Sequence, residues 1–94
     1  MRLEFDKGKQ ALNWEKHGLD FVDSLKVLDA LYFRRVAGLE PDGTTVRYFI
    51  LGKLGQRHIV LVCNMTRAVL RPISFRPADS EEADVYEAAV RRLV

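Results

Sequence analysis

The spacing of apolar residues changes along this chain, and that change restricts the fold more than any other feature of the sequence. Between residues 6 and 28 apolar side chains recur at helical spacings, which predicts amphipathic helices. From Leu31 to Arg76 the period is two, in runs rich in β-branched and aromatic residues and separated by turn residues. Four such runs joined by short turns predict an antiparallel meander. We therefore expect an α+β protein with a four-stranded antiparallel sheet.

Caps and turn residues predict where the elements begin and end. The elements expected before the meander are a short strand at Arg2–Phe5, a helix of about three turns between Asp6 and Gly18, and a second helix over Leu19–Leu28. Asp20 is the expected N-cap of the second helix, with Asp23 and Ser24 as alternative starts. The expected meander strands are Leu31–Ala37, Thr44–Gly52, Arg57–Met65 and Ala68–Arg76. The predicted order is β-α-α-β-β-β-β-α.

The last residues of the sequence predict a third helix that begins at Asp79-Ser80-Glu81-Glu82. Asp79 and Glu82 have the spacing of a capping box, and Val85, Ala89 and Leu93 form the expected buried stripe. Pro72 removes a ladder donor, so the last strand is predicted to lie at an edge or to carry a bulge there.

The length of the chain and its single cysteine indicate a simple organisation. The 94 residues suit one domain, residues 1–94, with one core. Cys63 lies in an apolar run, which favours a buried hydrophobic role over a catalytic thiol. No run approaches the about 20 apolar residues of a membrane span, and the N-terminus lacks the pattern of a signal peptide. We expect a cytoplasmic protein with no membrane contact.

Positive charge is concentrated in the middle of the chain. Residues 48–78 contain no acidic residue and five basic ones, namely Lys53, Arg57, Arg67, Arg71 and Arg76. Such a segment predicts a local positive field suited to a phosphate-bearing ligand, with solvated strand residues as the plainer alternative.

Three groups of residues are candidates for chemistry. Lys9, Asn13, Lys16 and His17 share one face of the first helix. Near neutral pH His17 could transfer a proton, and the alternative is an ordinary histidine at a helix end. Arg47, Arg71 and Arg76 lie on predicted strands and could bind phosphate if they share a face. Arg71 and Arg76 are five residues apart, which in a regular strand puts them on opposite faces, unless a bulge intervenes.

The third group is Glu82 and Tyr86, four residues apart on one helix face. They are either a surface pair or an acid–base group beside Arg76. The sequence has no zinc-ligand spacing, no phosphate-binding glycine loop and no nucleophile elbow, so no metal or cofactor is implied.

Two stretches of the sequence carry motifs. Residues 5–21 read FDKGKQALNWEKHGLDF, and the motif positions are Asp6, Lys9, Asn13, Lys16-His17-Gly18 and Phe21. Residues 71–86 read RPISFRPADSEEADVY, and the motif positions are Arg71, Ile73-Ser74, Arg76, Ala78, Glu82 and Tyr86. Both stretches resemble the BrnT family, the ribonuclease half of a bacterial toxin–antitoxin pair, and Arg47 and Gly52 agree with that family more loosely.

The resemblance implies a RelE-like fold and a metal-independent endoribonuclease that cleaves RNA. It implies a BrnA-like antitoxin with a ribbon-helix-helix part, which would make any contact to DNA. Arg47, Arg71 and Arg76 would then bind RNA phosphate. Lys16 or His17 would be the acid–base residue, with Glu82 or Tyr86 as the alternative or orienting partner. The chain departs from the family pattern at Pro72 and Phe75, so a catalytically degenerate, antitoxin-binding regulatory module is the alternative function.

Overall fold

A computed structural model of the protein describes residues 1–93. The elements follow in the order β1 (Arg2–Leu3), α1 (Lys7–His17), a 3-10 turn (Phe21–Asp23), α2 (Ser24–Leu28), β2 (Phe33–Leu39), β3 (Val46–Leu54), β4 (Arg57–Met65), β5 (Val69–Pro77) and α3 (Ser80–Leu93). The predicted α+β class is confirmed. Val94, the last residue of the expected domain, lies outside the described residues.

The sheet has five strands in the order β1-β5-β4-β3-β2. Strands β2 to β5 form the predicted antiparallel meander, but β1 pairs in parallel with β5, Arg2 opposite Val69 and Leu3 opposite Leu70. The expectation of a four-stranded, purely antiparallel sheet was therefore wrong. A two-residue strand has too little periodicity to reveal a partner more than sixty residues away.

The caps of α1 form as predicted. The Asp6 carboxylate accepts a hydrogen bond from the Lys9 amide at 3.0 Å. Gly18 ends the helix with φ 67°, and its amide donates to the Trp14 carbonyl at 2.8 Å. Glycine adopts this left-handed conformation without steric cost.

The second predicted helix is interrupted. The Asp20 side chain accepts a hydrogen bond from the Val22 amide at 3.1 Å, so Asp20 is a cap as expected. It starts a 3-10 turn, and α2 covers only five residues after it. Leu19 and the cap residue Asp20 precede the 3-10 turn and lie outside α2.

The main core lies between α1, α2 and one face of the sheet. Its fully buried side chains include Phe21, Val27, Ile50, Ile59, Leu61, Cys63, Leu70 and Phe75. At Gly52 a Cβ atom would lie 2.7 Å from Val27 Cγ1, so glycine at this position lets α2 approach β3 closely. Burial raises the pKa of the Cys63 thiol to about 12, in agreement with a hydrophobic role.

Helix α3 lies on the opposite face, but not through the predicted stripe. Val85 and Leu93 are 54% and 62% exposed, and Ala89 is only half-buried. Tyr86 is the buried residue of this helix. Its large ring packs against the sheet and turns the neighbouring Val85 toward solvent.

Helix α1 also turns a polar residue to the sheet. Asn13 is its buried side chain, while Trp14 is 58% exposed. No helix within residues 1–93 is long and apolar enough to cross a membrane.

Candidate functional site

A bulge in β5 brings two of the predicted arginines to one face of the sheet. Val62 of β4 pairs with Ser74, and Cys63 pairs with Pro72, which leaves Ile73 without a partner. The extra residue reverses the side-chain alternation, so Arg71 and Arg76 point to the same face despite their spacing of five. This is the face opposite the main core, and α3 covers only one end of it. We call the uncovered part the open face.

Arg47 also belongs to this face. Arg47 and Arg71 both pair with Asn64, one from β3 and the other from β5, so the three residues form a row across the sheet. Arg76 pairs with Val60, four residues along β4, which puts it roughly 13 Å from that row at the usual strand rise. The three arginines therefore share a face, a point that the sequence left open, and the backbone of Arg76 lies apart from that of the other two.

Arg76 forms the best-defined ion pair of the candidate site. Its two terminal nitrogens donate to the two Glu82 carboxylate oxygens, both at 2.8 Å. Hydrogen bonding to Arg76, supported by the Asp79 amide, lowers the pKa of Glu82 to about 2, and the same pair raises the pKa of Arg76. Glu82 and Asp79 also form the predicted capping box, each backbone amide donating to the other side chain. Glu82 is therefore ionised at neutral pH and holds the guanidinium in place.

The other two arginines differ in their surroundings. Arg47 donates to both oxygens of Glu40, at 2.8 and 2.9 Å. Arg71 is exposed and forms no ion pair within residues 1–93. Between them, the Asn64 Oδ1 atom is buried and accepts no hydrogen bond from residues 1–93.

Asn13 joins the first helix to the last strand. Its amide nitrogen donates to the carbonyls of Phe75 at 2.8 Å and Leu19 at 2.9 Å, and its oxygen accepts from the Phe75 amide at 3.0 Å. The side chain thus pairs with the free side of β5 beyond the end of β1, as a neighbouring strand would. This clamp brings the two family-like stretches, from opposite ends of the chain, into contact.

The clamp places the polar face of α1 beside the bulge. A cleft of 260 Å³ is lined by Lys9, Leu12, Asn13, Lys16, His17, Ile73 and Ser74. Partial burial lowers the pKa of His17, and the positive charges of Lys16 and Arg76 lower it further. His17 is thus close enough to Arg76 for the guanidinium charge to act on its ring. We call this group the α1–β5 cleft.

Tyr86 lies in a different environment. It is buried, its hydroxyl donates to the Leu31 carbonyl at 3.0 Å, and its ring packs edge-on against Phe33 and His58. The structure therefore places Tyr86 as the anchor of α3 on the sheet.

A polar cluster beside Tyr86 was not anticipated from the sequence. Glu87 Oε1 lies 2.8 Å from His58 Nε2 and 3.2 Å from Lys53 Nζ. Lys53 and His58 flank the turn between β3 and β4, and cross-strand pairing brings them together. The sequence feature that could have indicated this cluster is the position of Lys53 and His58 on either side of one tight turn. Within residues 1–93 no three His, Cys, Asp or Glu side chains form a group that could hold a metal ion.

The fold and the site together define a class of protein. A small α+β domain that presents arginines from two strands on an open sheet face, beside a cleft with two lysines and a histidine, has the features of a protein that binds a polyanion.

Comparison with protein families identifies the protein more specifically. The chain belongs to the family described as the ribonuclease toxin, BrnT, of type II toxin–antitoxin systems, whose model matches residues 5–82. The resemblance found in the sequence is confirmed. The family indicates a ribonuclease toxin with an antitoxin partner. The matched region includes every candidate site residue except Tyr86. A comparison with curated proteins found no match.

Proposed function

We propose that this protein is a metal-independent endoribonuclease that cleaves RNA with the neighbouring 2′-hydroxyl as nucleophile. The observation that carries this proposal is the clamp from Asn13 to Phe75, which places the α1–β5 cleft beside Arg76, the next residue of β5. The charge of Arg76 acts on His17 although the two residues come from opposite ends of the chain. Cleavage by a 2′-hydroxyl needs a base near that hydroxyl and positive charge around the pentavalent phosphorus. His17 and Arg76 can supply these two groups. The proton taken up by His17 can then pass to the 5′-oxygen as its bond to phosphorus breaks, which yields a 2′,3′-cyclic phosphate and a 5′-hydroxyl.

Arg76 is the residue best placed to bind the scissile phosphate. Glu82 holds its guanidinium in a fork and keeps it oriented. A carboxylate with a pKa of about 2 is a weak base, so Glu82 is proposed as the orienting partner. Arg47 and Arg71 would bind other phosphates of the same RNA strand, because their row lies roughly 13 Å from Arg76.

His17 is the proposed general base. Because its pKa is lowered, the ring is largely neutral at pH 7 and can accept the 2′-hydroxyl proton. Lys16, its neighbour in the same cleft, is proposed to stabilise the charged transition state and to serve as the alternative acid–base residue. Arginine and lysine charges fill the electrostatic role here, which supports a mechanism that needs no metal.

The experiment is incubation of the purified protein with naked RNA in EDTA, with and without the adjacent-gene product. We expect the purified protein to cleave the RNA, and we expect the product of the adjacent gene to abolish that cleavage. The variants Arg76→Ala and His17→Ala, folded by circular dichroism, should lose at least about a hundredfold in rate. Wild-type rates in both variants would contradict the assigned roles.

The partner proposed for the chain is a BrnA-like antitoxin with a ribbon-helix-helix part, which alone would contact DNA. With RNA as substrate, the cytoplasm is the proposed location. The alternative, a degenerate antitoxin-binding module, is distinguished by expression without antitoxin, since only an active toxin arrests growth. Phe75 lies in the core and Pro72 flanks the bulge, so neither departure removes a group from the proposed site.

A further inference from the structure

A pocket of 460 Å³ lies between α3 and the outer strands of the open face. Phe33, Phe49 and Leu51 of β2 and β3 line it on one side, and Val85 of α3 lines it on the other. Two phenylalanine rings, a leucine and an exposed valine thus form an apolar recess on a face that otherwise carries arginines. A flat aromatic ligand with a charged tail fits such surroundings.

Four charged residues line the pocket, namely Arg34, Arg35, Glu81 and Glu82. The Arg34 guanidinium carbon lies 4.8 Å from the centroid of the Tyr48 ring, and Glu82 is bound to Arg76, which leaves Arg35 and Glu81. The Arg35 guanidinium carbon lies 4.9 Å from the centroid of the Phe49 ring. Glu81, in the first turn of α3, is exposed and forms no ion pair within residues 1–93. One free carboxylate and one guanidinium therefore face the same recess.

The pocket also adjoins the proposed phosphate site. Glu82, which holds Arg76, lines the pocket together with Glu81. A nucleobase in the recess would thus belong to a nucleotide whose phosphate is within reach of Arg76. Single-stranded RNA is commonly read in this way, by stacking of unpaired bases on aromatic rings and hydrogen bonds to their edges.

We propose that this pocket is a nucleobase subsite that selects guanine beside the scissile phosphate. Phe33, Leu51 and Val85 form the apolar surface for the base, Glu81 accepts hydrogen bonds from guanine N1–H and N2–H, and Arg35, which lies over the Phe49 ring, donates to O6. Of the four RNA bases, only guanine offers two parallel donors to a carboxylate together with an acceptor for a guanidinium. The inference rests on the proposed function for its substrate class, RNA.

The test measures binding of an RNA that cannot be cleaved. Two fluorescein-labelled 2′-O-methyl uridine tetranucleotides, one with a single guanine and the other with a single adenine, are titrated with protein and followed by anisotropy. The guanine oligonucleotide should bind at least about tenfold more tightly. Glu81→Gln should reduce this preference to about twofold or less, because a neutral amide cannot accept both donors.

Asp84→Asn is the matched control, because it removes one negative charge from an exposed position of the same helix outside the pocket. It should keep the tenfold preference. Phe33→Leu retains an apolar side chain but loses a ring of the base surface, and it should weaken both oligonucleotides by a similar factor. Circular dichroism establishes that each variant is folded.

Equal affinity for the two oligonucleotides, or binding of neither, would overturn the subsite, as would a preference that survives Glu81→Gln. Cleavage of unmodified RNA in EDTA is measured in parallel. Cleavage that does not depend on the flanking base would support the proposed nuclease and contradict the proposed guanine subsite. Preference for the guanine oligonucleotide without any cleavage would support the subsite and contradict the nuclease.

Discussion

Asn13 is the residue on which the geometry of the site depends most. Two hydrogen bonds of its side chain hold α1 against β5 and satisfy the backbone of Phe75 where β1 no longer pairs with that strand, and a third reaches the Leu19 carbonyl just after α1. Buried backbone groups without partners are costly, so this side chain completes the sheet edge. It also fixes the distance of Lys16 and His17 from the bulge.

Removing the Asn13 amide should therefore destabilise the protein strongly. Asn13→Ala leaves the amide and carbonyl of Phe75 unpaired, and we expect a loss of roughly 3 kcal/mol in the free energy of unfolding, measured by urea denaturation. Leu12→Ala on the same helix is the control, because Leu12 is exposed and its loss should cost about 0.5 kcal/mol or less. Equal effects of the two substitutions would contradict the clamp.

The charge of Lys16 should be visible in the titration of His17. Burial and two positive neighbours lower the pKa of His17, so Lys16→Gln should raise it, while burial and Arg76 keep it below 6.5. The measurement is an NMR titration of the His17 ring. Lys26→Gln is the control, since Lys26 pairs with Asp23 on α2, and it should leave the His17 titration unchanged. If the pKa of His17 is unchanged in the Lys16→Gln variant, the charge of Lys16 does not act on the His17 ring.

Among the elements, α3 is attached through few but specific contacts. Tyr86 is its buried anchor, and the ion pairs of Glu82 with Arg76 and of Glu87 with Lys53 lie on either side of that ring. The apolar residues Val85 and Leu93 remain exposed. The docking of this helix, which borders the proposed base pocket, therefore depends on charge as well as burial.

This dependence predicts a pH effect with a definite sign. The pKa of Glu82 is about 2 in the folded protein and ordinarily 4.5, so the unfolded chain takes up the proton at higher pH. The stabilisation is fully present above about pH 4.5 and is lost as the pH falls toward 2. Glu82→Gln should lower the free energy of unfolding by about 2 kcal/mol at pH 6. The difference from wild type should shrink below pH 4.5.

The matched control for this measurement is Glu81→Gln, which removes a carboxylate without an ion pair from the same turn. Its effect on unfolding should be small and should not follow the same pH course. A Glu82→Gln effect that stays constant between pH 6 and pH 3 would contradict the role of the ion pair.

On the scale of the whole molecule, charge is distributed by face. The net charge is only +2, yet Arg35, Arg47, Arg71 and Arg76 all lie on the open face. Helices α1 and α2 cover the opposite face with the main core. A nearly neutral protein can thus present four arginines, two of them paired with Glu40 and Glu82, to a strand of RNA.

Binding of RNA should therefore depend on salt through particular arginines. For a non-cleavable 2′-O-methyl RNA, Arg71→Gln should reduce the slope of log affinity against log salt by about 0.7, the value for one contact to a single-stranded phosphate. Arg92→Gln, at an exposed position near the end of α3, should leave the slope unchanged. Equal reductions in both variants would mean that RNA contacts the protein without preference for the open face.

Local chemistry in the sequence determined the elements and the family. The caps at Asp6, Gly18 and Asp20 depend on residues within one turn, and strand periodicity and turn residues act over similarly short distances, so all of them could be predicted. The bulge beside Pro72 was foreseen as a possibility for the same reason. The family-like stretches were visible because they are contiguous in the chain.

Only the tertiary structure decided which side chains meet. The parallel pairing of β1, the clamp from Asn13 to Phe75 and the shared face of Arg71 and Arg76 depend on register between segments far apart in sequence. A shift of one residue in register moves every side chain of a strand to the other face, and no local signal reports that choice. Tyr86 shows the same limit, because its spacing from Glu82 indicated a shared helix face while long-range packing buried its ring.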